Sequence, residues 1–132
     1  SGMNRQPWEF IVVRDRDTLQ EIAGAEGGGS HLMGASCAIL VLMKGESREI
    51  ETYDEGRLTE RMLLAAAAHG VGAGIWWFKD GGVAAKRILG IPAERSVRTA
   101  ISLGYPDEEA QSRPKKPDAR KPLSELVHEE RD

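Results

Sequence analysis

Residues 1–13 read Ser1-Gly2-Met3-Asn4-Arg5-Gln6-Pro7-Trp8-Glu9-Phe10-Ile11-Val12-Val13, a polar loop that runs directly into an apolar strand. Serine, glycine and asparagine favour non-helical backbone, and Pro7 predicts an extended conformation for Gln6 before it. The run from Phe10 to Val13 is apolar, rich in β-branched residues and of strand length. Short polar side chains at the mouth of a buried strand predict a ligand site in this loop.

Length and composition limit the classes of protein to which the chain can belong. Its 132 residues, 40% hydrophobic with a net charge of −3, predict one globular domain over 1–132, with a core of residues 1–106 and an arm of residues 107–132. The absence of a basic excess argues against nucleic acid as a partner. A single cysteine, Cys37, excludes an intrachain disulfide and fits a reducing compartment. No stretch has the length of a membrane span and no signal peptide is visible, so we expect a cytoplasmic protein that does not bind membranes.

The rest of the core predicts alternating helices and strands. Asp17 to Ala23 is expected to form a short amphipathic helix capped by Asp17, and Ala38 to Met43 a strand covered on both faces. Lys44 to Glu55 is charged and is interpreted as a surface connection. Arg57 to His69 is apolar on most sides and predicts a buried helix that packs against the sheet on one side and a partner subunit on the other. Ser96 to Leu103 is the last predicted strand.

Two further stretches are open to a functional interpretation. Ala25 to Ser30 is rich in glycine and could cradle a phosphate, but the Lys-Ser/Thr ending of a phosphate-binding loop is missing, so a plain connection is favoured. Gly70 is expected to be a left-handed helix cap. The bulky cluster from Ile75 to Phe78 follows it. This cluster could pack in the core or wall a planar aromatic ligand, and composition alone favours packing.

Four motifs, in order along the chain, resemble those of nitroreductase-family flavoproteins. They are Asn4-Arg5-Gln6-Pro7-Trp8, the Ala-rich helix and Gly-x-Gly turn from Arg57 to Gly74, Ile101-Ser102-Leu103-Gly104-Tyr105-Pro106, and Arg120-Lys121-Pro122-Leu123. The resemblance implies an α+β nitroreductase-like fold, with a mainly antiparallel central sheet flanked by helices and an extended C-terminal arm that ends in a short helix. It also implies a homodimer with FMN at the subunit interface.

The resemblance also implies which residues bind the cofactor. They are Ser1, Gly2, Met3, Asn4, Gln6, Ile75, Trp76, Trp77, Arg120 and Lys121. The N-terminal group would contact the isoalloxazine and ribityl parts, with Gln6 supporting the loop, and the group at 75–77 would line one face of the ring. Arg120 would hold the phosphate, with Lys121 as the alternative, because a guanidinium can pair with a phosphate through two hydrogen bonds. Similar proteins have a further phosphate-binding Arg-Arg-Ser-x-Arg-like segment before this loop, and the present sequence begins after it.

The implied reaction is hydride transfer from NAD(P)H to flavin and then to a nitroaromatic, quinone or similar acceptor. No catalytic side chain is predicted, since His31, His69 and His128 lack metal-site spacing and no G-x-S-x-G nucleophile motif occurs. This absence fits an enzyme whose cofactor supplies the chemistry. One alternative is a non-catalytic flavin-binding or dimeric interaction protein with a degenerate site, which Trp77 would favour by crowding the pocket. Another is a specialised flavin-fragmenting or dehalogenating relative.

Overall fold

A single four-stranded antiparallel sheet organises the fold. The computed structural model describes residues 1–25, 30–112 and 120–129. The strands lie in the order β1-β2-β4-β3. Their bounds are β1 (Trp8–Val13), β2 (Cys37–Met43), β3 (Gly72–Trp77) and β4 (Ser96–Gly104). The strands predicted at 38–43 and 96–103 are therefore confirmed.

Helices connect successive strands along the chain or follow the last strand. They are α1 (Arg16–Ala25), α2 (Ser30–Met33), α3 (Arg48–Ala68), α4 (Val83–Leu89) and α5 (Glu108–Ser112). Short 3-10 turns occupy Gly2–Asn4, Lys79–Gly81 and Leu123–Glu125. None of the helices within the described ranges combines the length and apolarity needed to cross a bilayer.

The hydrophobic core lies on one face of the sheet. Alternate residues of β2, which are Ala38, Leu40 and Leu42, point to this face and are buried. Helix α1 covers them with Leu19 and Ile22, the apolar stripe that its sequence predicts. Helix α4 contributes to the same cluster through its buried alanine.

The opposite face of the sheet is only partly covered. Helix α3 packs against β2, β3 and β4 on this side, where Val41, Met43 and Ile101 are fully buried. Four large apolar side chains of the outer strands share this face but remain about half exposed. They are Phe10, Val12, Ile75 and Trp77.

The interpretation of residues 44–55 as a surface connection holds only for residues 44–47, because α3 begins at Arg48. Three acidic residues that suggested a solvated surface, Glu51, Asp54 and Glu55, are instead buried. Both carboxylate oxygens of Glu51 accept hydrogen bonds from backbone amides, and the Glu55 carboxylate pairs with Arg98. Hydrogen bonding offsets the cost of burying such groups, so the helix can begin at Arg48, about two and a half turns before the predicted start at Arg57.

Two local predictions also need correction. Gln6 is not extended but has a φ of 47°, in the left-handed region. Helix α1 is capped by Asp15 rather than Asp17, because the Asp15 carboxylate accepts hydrogen bonds from the amide and hydroxyl of Thr18. These hydrogen bonds lower the pKa of Asp15. In contrast, Gly70 has the predicted left-handed conformation, with a φ of 68°.

Parts of two predicted segments lie outside the described residues. These parts are the three consecutive glycines at 27–29, within the Ala25 to Ser30 stretch, and residues 113–119 of the arm. In the part of the arm that is described, Leu123, Leu126 and Val127 are all more than half exposed. The described residues of this chain therefore do not cover the apolar end of the arm.

Candidate functional site

The N-terminal loop, Ser1–Gln6, has an unusual backbone. Met3, Asn4 and Gln6 all have positive φ values of 47–54°, a conformation that costs non-glycine residues about 1 kcal/mol or more. Two hydrogen bonds of 2.9 Å hold the loop closed: the Gln6 amide donates to Ser1 Oγ, and the Gln6 side chain donates to Asn4 Oδ1. The structure thus places Gln6 where it braces the polar residues of the loop.

A first cavity of about 250 Å³ lies beside this loop. Gly2, Met3 and Arg5 form one wall. The facing wall comes from the β2–α3 loop, residues 44–47, and from the first two turns of α3. Ser1 itself faces a smaller cavity with Trp8 and Arg57, next to the first one.

A second cavity of about 500 Å³ lies at the end of β3. Trp77 and the following turn, Lys79–Gly81, form one side, and Arg48 of α3 and Arg98 of β4 form the other. Asp80 in this turn has a φ of 50°, so a strained non-glycine residue borders this cavity as well. Strain of this kind is found preferentially at functional sites.

Glu51 belongs to the walls of both cavities. Its side chain is 3% exposed, and its two oxygens accept hydrogen bonds of 3.0 Å from the amides of Gly45 and Glu46. The carboxylate therefore ties the β2–α3 loop to α3 at the boundary between the two cavities. The N-terminal loop and the end of β3 with its following turn therefore border cavities that share this residue.

A buried ion pair supports the second cavity. Arg98 Nε lies 3.1 Å from Glu55 Oε2, and the two side chains are 11% and 4% exposed. Glu55 Oε1 and Arg98 Nη2 are buried and make no hydrogen bond to the described residues. Arg48 and Lys79 add positive charge at the rim, opposed by Asp80.

The aromatic cluster divides between the two faces of the sheet. Trp76 pairs with Ala100 in the sheet, packs against the hydrophobic core and lies 5.4 Å from the His31 ring, measured between centroids. Ile75 and Trp77 point to the other face, and Trp77 alone of the three borders the second cavity. The placement favours Trp77 as the residue that would contact a planar ligand.

The basic residues predicted to hold a phosphate are not among the residues that line these cavities. Arg120 and Lys121 are exposed and belong to the lining of neither cavity. Within the described part of the chain, neither residue therefore borders a cavity that the N-terminal loop lines.

The sequence interpretation overlooked Arg48, Glu51, Lys79 and Arg98. A signal for Glu51 was present, because Glu51, Asp54 and Glu55 have the i, i+3, i+4 spacing that places side chains on one helix face. The Asp80-Gly81-Gly82 sequence likewise marks a turn directly after the aromatic cluster. No group of three or more potential metal ligands occurs in residues 1–25, 30–112 and 120–129.

Comparison with known proteins identifies relatives of this chain. No family model matches the chain. A protein of Archaeoglobus fulgidus named "Putative NADH dehydrogenase/NAD(P)H nitroreductase" is 37% identical over 116 residues, which are 83% of this chain and 67% of that protein. A Methanothermobacter thermautotrophicus protein of the same name is 32% identical over 114 residues, 82% of this chain and 60% of its own length. The chain thus spans about two thirds of the length of these relatives.

The fold agrees with this similarity. An FMN-dependent nitroreductase from Clostridium difficile R20291 superposes with a TM-score of 0.82 and 24% identity, over 100% of this chain and 80% of that one. The predicted α+β nitroreductase-like fold is confirmed. With this fold and 37% identity over most of its length to the Archaeoglobus protein, the chain belongs to the nitroreductase family.

Proposed function

We propose that the protein is an FMN-dependent NAD(P)H oxidoreductase that reduces nitroaromatic, quinone or similar acceptors. One observation carries the proposal: the N-terminal loop and the end of β3 line neighbouring cavities that share Glu51. The resemblance to the nitroreductase family assigns residues of these two segments to flavin binding. The FMN dependence of the Clostridium difficile protein supports the choice of cofactor.

The residues of the two cavities fit FMN in size and chemistry. The second cavity, about 500 Å³, lies within the range of 300–1,000 Å³ that is typical of small-molecule sites. Its main aromatic wall is Trp77, which is 59% exposed and can cover an aromatic ring. In the N-terminal loop, Gly2 and Met3 border the first cavity, whereas Ser1 borders the smaller cavity beside it and Asn4 borders neither. Of these four residues, Gly2 and Met3 are therefore the ones that would contact a ribityl chain in the first cavity.

Bound FMN would supply the hydride acceptor and donor that the protein's own side chains lack. The chain's contribution is binding and orientation. Gln6 and Glu51 hold the two loops in fixed conformations, and Trp77 forms one side of the pocket. Arg48 and Lys79 place positive charge at the entrance, where it attracts anionic groups.

The phosphate group requires a cation, and Arg120 is our candidate. Replacing Arg120 with alanine is expected to weaken FMN binding by about tenfold to a hundredfold, because a charge-assisted hydrogen bond contributes roughly 1.5–3 kcal/mol. Flavin fluorescence titration measures this change. Arg14→Ala, at an exposed site between β1 and α1, serves as a matched control and should leave the affinity unaltered. Equal affinities for wild type and Arg120→Ala would exclude Arg120 and make Lys121→Ala the next variant.

We infer that the protein acts as a homodimer, which would bring the arm of one chain to the cavities of the other. The support is the exposed apolar surface on the α3 side of the sheet, together with Leu64 of α3, which is 60% exposed. Phe10 and Val12 lie at one edge of this face and Ile75 and Trp77 at the other, and a second copy that packs across the sheet would cover them.

Replacing Leu64 with glutamate is expected to convert the dimer to a monomer, because an unpaired charge at a buried interface costs several kcal/mol. Light scattering after size-exclusion chromatography reports the mass. Val83→Glu is the control, since Val83 is 65% exposed on the opposite side of the sheet. A wild-type monomer, or a Leu64→Glu variant that remains dimeric, would contradict this arrangement.

A non-catalytic flavin-binding protein is the second candidate. The bulk of Trp77 at the second cavity favours it, because this side chain occupies space that an acceptor would need. Reduction of bound FMN by NAD(P)H would exclude this candidate.

A further inference from the structure

We propose that Glu51 is a positioning residue of the flavin site, and that its negative charge lowers the reduction potential of the bound flavin. The inference rests on the proposed function, since it requires FMN to occupy the two cavities. The buried Glu51 carboxylate would have two separate roles in that site.

The first role follows from the hydrogen bonds of Glu51. Its two oxygens accept from consecutive amides, those of Gly45 and Glu46, at 3.0 Å each. Gly45 has a φ of 85°, and a Cβ placed on it would lie 2.5 Å from the Glu94 carbonyl oxygen. The β2–α3 loop is therefore fixed from both sides, by Glu51 and by the segment before β4. Because this loop borders both cavities, Glu51 sets the shape of the space between them.

The second role follows from burial and position. Glu51 is 3% exposed and lies in the wall of each cavity, so its charge is poorly screened from a ligand that spans them. Two-electron reduction at neutral pH adds negative charge to a flavin. A nearby carboxylate disfavours that added charge and should make the reduced form bind less tightly than the oxidised form.

Two variants separate these roles. Glu51→Gln removes the charge, so the ratio of the FMN dissociation constants, oxidised over reduced, should rise by roughly tenfold with a matching positive shift in potential. Glu51→Asp keeps the charge but is one methylene shorter, so it should weaken both forms alike and leave the ratio unchanged. Glu49→Gln removes a charge from the exposed side of the same helix turn and should change neither quantity. A potential that is the same in wild type and Glu51→Gln would overturn the second role.

A measurement on the wild type keeps the inference testable if both Glu51 variants unfold. In a titration followed by 15N–1H NMR, the amide signals of Gly45 and Glu46 should shift as FMN binds. Binding of FMN without a shift of either signal would overturn the positioning role while leaving the proposed function intact. A wild type that binds no FMN would overturn both.

Discussion

Replacing Gly45 with alanine is expected to destabilise the protein by about 2–5 kcal/mol, one of the largest effects that we expect for a single methyl group. Two costs combine. The φ of 85° is unfavourable for any residue with a Cβ, by roughly 1–2 kcal/mol. The new Cβ would also lie 2.5 Å from the Glu94 carbonyl oxygen, and such overpacking costs typically 1–3 kcal/mol.

Gly24→Ala is the matched control for this prediction. Gly24 lies inside α1, and no atom beyond its chain neighbours comes within 4 Å of an added Cβ. Alanine there should stabilise the protein by about 0.5 kcal/mol, because it restricts the unfolded chain and favours the helix. Urea titrations of the three proteins give the free energies of unfolding. Equal stability of Gly45→Ala and the wild type would mean that the β2–α3 loop is not held as described.

The second large effect concerns the buried ion pair of Arg98 and Glu55. Replacing Arg98 with methionine is expected to lower the free energy of unfolding by about 3–5 kcal/mol, since it leaves a carboxylate that is 4% exposed without its charged partner. The same urea titration measures the loss. Arg95→Met is the control, because the Arg95–Glu9 pair is largely exposed on the Glu9 side and exposed pairs contribute about 0–1 kcal/mol.

A double substitution tests the cause of this loss. Combining Arg98→Met with Glu55→Leu removes both charges, so most of the lost stability should return. If the double variant is less stable than Arg98→Met alone, the loss comes from packing around the arginine stem and not from an unpaired carboxylate.

The hydrophobic core could be predicted from the sequence because its patterns are local. The apolar run at 38–43 and the stripe of Leu19 and Ile22 each require burial, and the structure buries them in one cluster. The beginning of α3 could not be predicted in this way. Its first three turns bury acidic residues, and their partners, Gly45, Glu46 and Arg98, come from other segments. Hydrogen bonds to other segments therefore allow these acidic residues to be buried, although their charge alone favours exposure to solvent.

In the candidate site, too, local motifs could be recognised in the sequence, whereas contacts between distant segments could not. The N-terminal loop and the aromatic cluster were visible as motifs, but Glu51 has a role only because α3 and two loops meet there. Strand alternation explains why Trp76 and Trp77, adjacent in sequence, lie on opposite faces. The contribution of Arg120 was inferred from the resemblance and stays a prediction, since within the described chain it borders neither cavity.

The most direct test of the proposed function is the visible absorption spectrum of the purified protein with FMN, recorded anaerobically before and after NAD(P)H is added. Free flavin is removed beforehand by gel filtration, and free FMN at equal concentration serves as the control. We predict flavin bands that co-elute with the protein and bleach on addition of NAD(P)H much faster than the control. Bound flavin that stays oxidised, or protein that elutes without flavin, would contradict the assignment of this chain as an FMN-dependent oxidoreductase.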